Sequence, residues 1–150
     1  MWVGAIMQST TYKLGRFFLC GLKHDSKLAR SILNFAREKK VKMAFFTVVG
    51  AVKEARLAYY DQVGHEYQKI KLDQPLEIAN CFGNLSFKDG KPFSHVHAVL
   101  ADKAGKTHAG HLIGATVFAA ELHLQELLGK KLEREYDQTT GLALLEFGEL

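Results

Sequence analysis

Three imidazoles carry the strongest chemical signal in this sequence. Ser94-His95-Val96-His97-Ala98 sets two histidines at i and i+2, and Gly110-His111-Leu112 supplies a third. Successive side chains of a strand point to opposite faces, so His95 and His97 share a face wherever this stretch is extended. Between the two segments lies Asp102-Lys103-Ala104-Gly105-Lys106, with Gly105 where a three-residue hairpin loop needs a left-handed residue. That loop pairs Asp102 with Lys106, and counting back along both strands pairs His97 with His111. His95 is then diagonal to His111, and opposed or diagonal side chains of a ladder lie within reach of one another. The same count turns His108 to the opposite face, and a slip of one residue would undo the set. Three neutral imidazoles with an open fourth position are the donors of a catalytic-type Zn²⁺ site, and other imidazole-favouring divalent ions suit them too. Water bound there would have its pKa lowered to about 7. A bare His-x-His equally describes two solvated strand histidines; the register-matched third points to a metal. His24, His65 and His123 are isolated in the sequence and are assigned no role.

Other groups could serve chemistry around such an ion, although spacing alone places none of them. Glu121 could orient a ligand imidazole through its second ring nitrogen. Glu77 and Glu121 could act as acid or base, and Arg16 and Arg56 could clamp an acidic substrate. Arg56, Asn84 and Glu121 are carried forward as contacts to the ion's outer shell or to a small-molecule ligand.

The elements that must position these groups read as follows. Tyr12 to Leu22 is an aromatic and aliphatic strand. Asp25-Ser26 is a helix start, and Leu28, Ala29, Ile32, Leu33 and Ala36 recur at helical spacing, predicting one clear helix over about 26–39. Val41 to Val52 is a buried strand that Gly50 either breaks or opens to a close backbone approach. Ala55–Asp61 and Glu66–Leu72 form a hairpin about Gln62-Val63-Gly64-His65. Leu76 to Phe87 is a further strand, closed by a turn at Lys88-Asp89-Gly90-Lys91. For Val117 to Leu128, helix-forming residues compete with strand-like alternation, and propensity leaves both open. A charged stretch from Lys130 to Asp137, a turn at Thr139-Thr140-Gly141 and a strand from Leu142 to Phe147 complete the chain. The fold class is α+β: a mostly antiparallel or mixed β-sheet with one helix in a single compact domain.

Composition agrees. The chain has 150 residues, 47% hydrophobic and 24% charged, enough for one domain with an ordinary core. Residues 1–11 read as a leader, with an apolar Met1–Met7 too short to span a bilayer and lacking the basic start of a signal peptide. Cys20 and Cys81 are far apart in apolar runs and read as reduced, buried thiols, which places the protein in the cytoplasm. The net charge is +4 and the pI about 9.0, compatible with nucleic acid without requiring it. The densest basic group is Arg37, Lys39, Lys40 and Lys42, at the expected helix end, where cations also complement the helix dipole.

Gly83-Asn84-Leu85-Ser86, Asp89-Gly90-Lys91-Pro92-Phe93-Ser94-His95-Val96-His97-Ala98-Val99-Leu100 and Gly110-His111-Leu112 resemble the PPC (plants and prokaryotes conserved) domain. Gly15-Arg16, Phe35-Ala36, Val49-Gly50-Ala51, Tyr59-Tyr60-Asp61 and Pro75-Leu76-Glu77 follow in the expected order, so the resemblance spans residues 12–147. It implies a homotrimer, a strand rather than a helix at Val117–Leu128, a metal role for His95, His97 and His111, and the DNA-binding, regulatory role attached to the family. The broader fold is similar to that of acetolactate decarboxylase, a zinc enzyme with three histidines. This implies the alternative of a zinc-dependent hydrolase or decarboxylase of a small acid. Two departures stand out. The chain has no Arg-Gly-Arg-Pro AT-hook, the element that enters the minor groove. The plant Gly-Arg-Phe-Glu-Ile-Leu segment is here Gln74-Pro75-Leu76-Glu77-Ile78-Ala79, matching only at Glu77 and Ile78.

Overall fold

The computed structural model describes residues 7–147, so the first six residues of the expected leader lie outside the described residues. The chain runs β1 (Lys13–Leu22), α1 (Leu28–Glu38), β2 (Met43–Asp61), β3 (Glu66–Leu72), β4 (Leu76–Lys88), β5 (Lys91–Ala101), β6 (Thr107–Leu128), β7 (Glu133–Asp137) and β8 (Leu142–Glu146). The strands form one sheet in the order β3-β2-β6-β5-β4-β7-β8, with β1 added beside β6. All pairings are antiparallel except β4 with β7.

Two long strands do most of the organising. The first half of β2 pairs with β4 and its second half with β3, while β6 lies along its other side. β6 changes partner in the same way, from β5 near its start to β1 near its end. β2, β6, β5 and β4 therefore close a ring of pairings that hides most strand edges. Inside lie Phe46, Val48, Val96, Leu100, Leu122 and Leu124, each almost fully buried. Leu28, Ile32 and Ala36, one helical turn apart, bring the buried stripe of α1 onto the same core. Each large apolar side chain buried in this way contributes about 1.5–3 kcal/mol. A second, smaller cluster of Met43, Phe87 and Leu132 anchors the entry to β7.

The structure differs from the sequence reading in two places, the extent of β2 and the start of the helix, and decides two alternatives that reading left open. Val41–Val52 and Ala55–Asp61 belong to one strand, because β6 pairs along both halves through small register shifts. Gly50 does not break it: at φ 130° it lets the backbone of Ala119 and Ala120 approach closer than any Cβ would permit. The helix begins after Lys27 with no side-chain cap, because Asp25 and Ser26 exchange backbone hydrogen bonds with Val117. Val117–Leu128, which propensity left open, is strand, with β1 on one side and β2 on the other. Both cysteines are free; Cys81 is buried in the core, which pushes its thiol up to about 12. Among the described residues no helix is long and apolar enough to cross a membrane.

Candidate metal centre

The β5–β6 hairpin sets the site. Gly105 adopts φ 76°, its N–H donates to Asp102 O at 2.8 Å, and the Asp102 N–H donates to Lys106 O at 3.0 Å. The Asp102 carboxylate also accepts the N–H groups of Ala104 and Lys106 at 2.9 and 3.1 Å, which locks the turn. With this turn fixed, His97 pairs with His111, as the register count expects, and Leu100 with His108. His95 and His97 lie opposite Asn84 and Phe82 of β4, on the outer face of the sheet. The three rings come together with centroids 5.1 Å (His95–His97), 5.4 Å (His95–His111) and 5.6 Å (His97–His111) apart. One ring nitrogen from each lies within 4.8 Å of the other two. Gly110 makes this approach possible: a Cβ there would stand 2.7 Å from Ala58 O, so β6 could not run this close to β2 beside His111. His108 points the other way and lies 3.7 Å from Asp102 Oδ2.

Local electrostatics favour the neutral, lone-pair-bearing form of the imidazole. Burial, then Arg134, then His111 and His97 push His95 down to about 4. Burial chiefly, then His97 and Arg134, lowers His111. His111 Nδ1 is buried with no hydrogen-bond partner. A buried polar atom without a partner costs about 1–3 kcal/mol, and a metal bond would relieve that cost. The donor set fits a divalent cation: Zn–N bonds of about 2.1 Å require nitrogen spacings of about 3.4 Å, a contraction that side-chain rotation can supply.

His95 and His111 form one wall of a cavity of about 640 Å³, within the range of small-molecule sites. Tyr67, Phe93, Arg134 and Tyr136 also line it, as do the charged residues Lys88, Asp89, Glu133 and Glu135. The Tyr67 ring lies 5.4 Å from that of His111. Arg134 was not singled out by sequence reasoning. It is only 9% exposed, donates from Nε to Ser86 Oγ at 3.0 Å, from Nη2 to Asn84 Oδ1 at 3.0 Å and from Nη1 to Ala143 O at 3.2 Å, and its guanidinium lies over Phe93. The stretch Glu133–Asp137 reads as a charged run, but as a strand it alternates, and alternation sends Arg134 inward between β4 and β8.

The remaining sequence candidates separate. Asn84 lies beside the histidines: it sits opposite His95, and its Oδ1 accepts a hydrogen bond from Arg134. Arg56 lines a different cavity with Glu54 and Thr116. Glu121 lies beside Val49 and Gly50, away from the imidazoles, and Glu77 lines a further groove with Pro75 and Phe118. Arg16 forms a two-pronged ion pair with the buried Glu126, Nε–Oε2 at 2.7 Å and Nη2–Oε1 at 2.8 Å.

A family model described as the Plants and Prokaryotes Conserved (PCC) domain matches residues 9–128. The metal-containing protein from Archaeoglobus fulgidus is 41% identical, with a TM-score of 0.90 over 93% of this chain and 99% of its own. A plant- and prokaryote-conserved (PPC) protein from Pyrococcus horikoshii is 35% identical, with a TM-score of 0.89 over 96% and 100%. A protein from Ralstonia eutropha, provisionally named as DNA-binding, is 26% identical, with a TM-score of 0.76 over 85% and 89%. The bifunctional protein GlmU of a Synechococcus strain is 32% identical over 117 residues, 76% of this chain; the match spans only 18% of that relative's length. At 15% identity and a TM-score of 0.51, a Staphylococcus aureus protein similar to α-acetolactate decarboxylase shares the fold, covering 78% of this chain and 54% of its own.

Proposed function

The chain belongs to the Plants and Prokaryotes Conserved domain family, and from that membership we propose that it is a cytoplasmic, homotrimeric metal-binding module, with residues 12–147 as its domain. His95, His97 and His111 hold a divalent cation, Zn²⁺ by donor chemistry. One observation carries this reading: three imidazoles converge at a cavity wall with His111 Nδ1 buried and unpartnered. The metal-containing relative at 41% identity supports it. Two free thiols suit a reducing compartment. The trimer is supported by an apolar stripe on the outer face. Phe17, Leu19 and Phe82 are 62%, 68% and 53% exposed, and Phe45 stacks on Phe82, which stands opposite His97. Element analysis of protein purified without chelator is expected to give one metal per chain, and His97→Ala to remove it. An unchanged metal content in that variant would sink the assignment.

The cavity favours a small-molecule role at this centre, and hence the zinc-dependent hydrolase or decarboxylase reading, over a purely architectural ion. Bound there, the cation would act as a Lewis acid or activate water, while Arg134 and Asn84 orient what enters. A second reading, regulatory DNA binding, is supported by the Ralstonia relative's name and by the basic end of α1, where Arg37 and Lys40 are exposed. Phosphate contacts make affinity fall steeply with salt, and retention of a gel shift at physiological salt is the outcome that reading requires.

A further inference from the structure

We propose that the cavity beside the three histidines is a receptor for a small oxyanion, a carboxylate or a phosphate, bound by the guanidinium of Arg134. This deepens the metal-centre reading, and rests on it only for a second anchor on the anion.

The charge at Arg134 is poorly compensated. The residue is 9% exposed, and among the described residues no Asp or Glu oxygen lies within ion-pair distance of it. Its three hydrogen bonds go to neutral acceptors: a serine hydroxyl, an amide oxygen and a backbone carbonyl. A guanidinium has five N–H donors, so two remain for a guest. Buried charges are normally paired, and a lone cation on the wall of a cavity about 640 Å³ in volume is a place where an anion is favoured. The acidic residues of the same cavity do not fill this role. Glu133 accepts the Gly90 N–H at 2.6 Å and lies 3.9 Å from Lys131, and Asp89 stands in the β4–β5 turn. Glu135 also lines the cavity, but among the described residues it forms no ion pair with Arg134. Lys88 adds a further positive charge at the rim.

The position of Arg134 also fits a bridging ligand. Arg134, His95 and His111 line the same cavity, so guanidinium and imidazoles face a shared space. An oxyanion there could place one oxygen on Arg134 and turn the rest of the molecule towards the histidines. Tyr67, Phe93 and Tyr136 give the remaining wall an aromatic character suited to a short organic body.

Calorimetric titration of the full chain with acetate and, separately, with inorganic phosphate tests the proposal, using metal-free and Zn²⁺-loaded protein and acetamide as the uncharged control. Wild-type protein is expected to bind at least one of the two anions at one per chain and to ignore acetamide; which anion binds identifies the class. Arg134→Met should weaken binding about 10- to 100-fold, the worth of a charge-assisted contact. Asn84→Asp guards against misfolding: it keeps Arg134 in place, gives it an internal carboxylate, and should weaken binding about tenfold without lowering the thermal midpoint. No binding of either anion to wild type, or equal binding by both variants, overturns the proposal. Arg134-dependent binding to metal-free protein upholds it even if His97→Ala shows that no metal is held. Metal binding without anion binding overturns the anion site alone.

Discussion

Two arginines of this molecule occupy opposite electrostatic situations. At the β1–β6 edge, Arg16 is half exposed and meets Glu126 through two side-chain bonds, with a third from its backbone N–H at 3.2 Å. At the β4–β7 seam, Arg134 is buried and meets only neutral oxygens. The carboxylate is what differs. Glu126 is 6% exposed and would be costly without its partner, so the pair at the edge is a closed unit that fastens one strand to another. The seam has no such closure, and its positive charge faces a cavity. Residue type alone does not separate a structural arginine from a binding one; the partner set does.

Removing each cation tests the contrast most sharply. Arg16→Met leaves Glu126 buried and unpaired, and should lower the thermal midpoint by about 5 °C or more. Arg134→Met removes a buried charge that has no ionic partner, but it also takes the donors from Ser86 Oγ, Asn84 Oδ1 and Ala143 O, so the relief of the charge is partly offset. Its midpoint should fall by less than that of Arg16→Met. Equal losses in the two variants, read by circular dichroism, would erase the distinction.

Acid gives a smaller effect with a definite sign. Hydrogen bonds from Arg16 hold the Glu126 carboxyl below the usual carboxylate range, against the opposing influence of burial. The folded value is thus lower than the unfolded one. The resulting stability is fully present above the unfolded value, about 4.3, and is lost as pH falls through the folded value. Between about pH 5 and pH 3 the wild-type midpoint should fall more steeply than that of Glu126→Gln, by a few degrees. The acceptors around Arg134 do not titrate, so Asn84→Ala should leave that slope unaltered.

The histidine register was legible because it depends on local rules: period-two alternation and a glycine in the turn. The helix was legible for the same reason, its stripe of Leu28, Ile32 and Ala36 being set by 3.6-residue spacing. Arg134 was hidden because its acceptors are remote: Ser86 and Asn84 lie 48 and 50 residues away in sequence, and only the parallel β4–β7 contact brings them together. Taken alone, Glu-Arg-Glu-Tyr-Asp is a solvated run. Arg16 and Arg56 were equally plausible clamps in the sequence. Glu126 and Glu54 take part in separate assemblies that no spacing rule links to them. The strand over Val117–Leu128 follows from pairing on both sides, a tertiary fact that outweighs its helix-forming residues.

The smallest effect bears on the face of the hairpin rather than on charge. His108 is three residues from His111 and belongs to the same strand, yet alternation turns it towards Asp102 at 3.7 Å. Its Nε2 is buried without a hydrogen bond, the same condition as His111 Nδ1, so an orphaned nitrogen alone cannot distinguish the two. What distinguishes them is company: His111 has two further imidazoles in reach, whereas His108 has one carboxylate. His108→Ala should therefore change metal affinity by less than about twofold, against the 10- to 100-fold or larger losses typical when groups that hold or orient a metal are removed. Competition of each variant with a chromogenic zinc chelator reads both directly. A loss at His108 matching that of His111→Ala would mean that the ion sits on the other face of the hairpin and that the register argument fails.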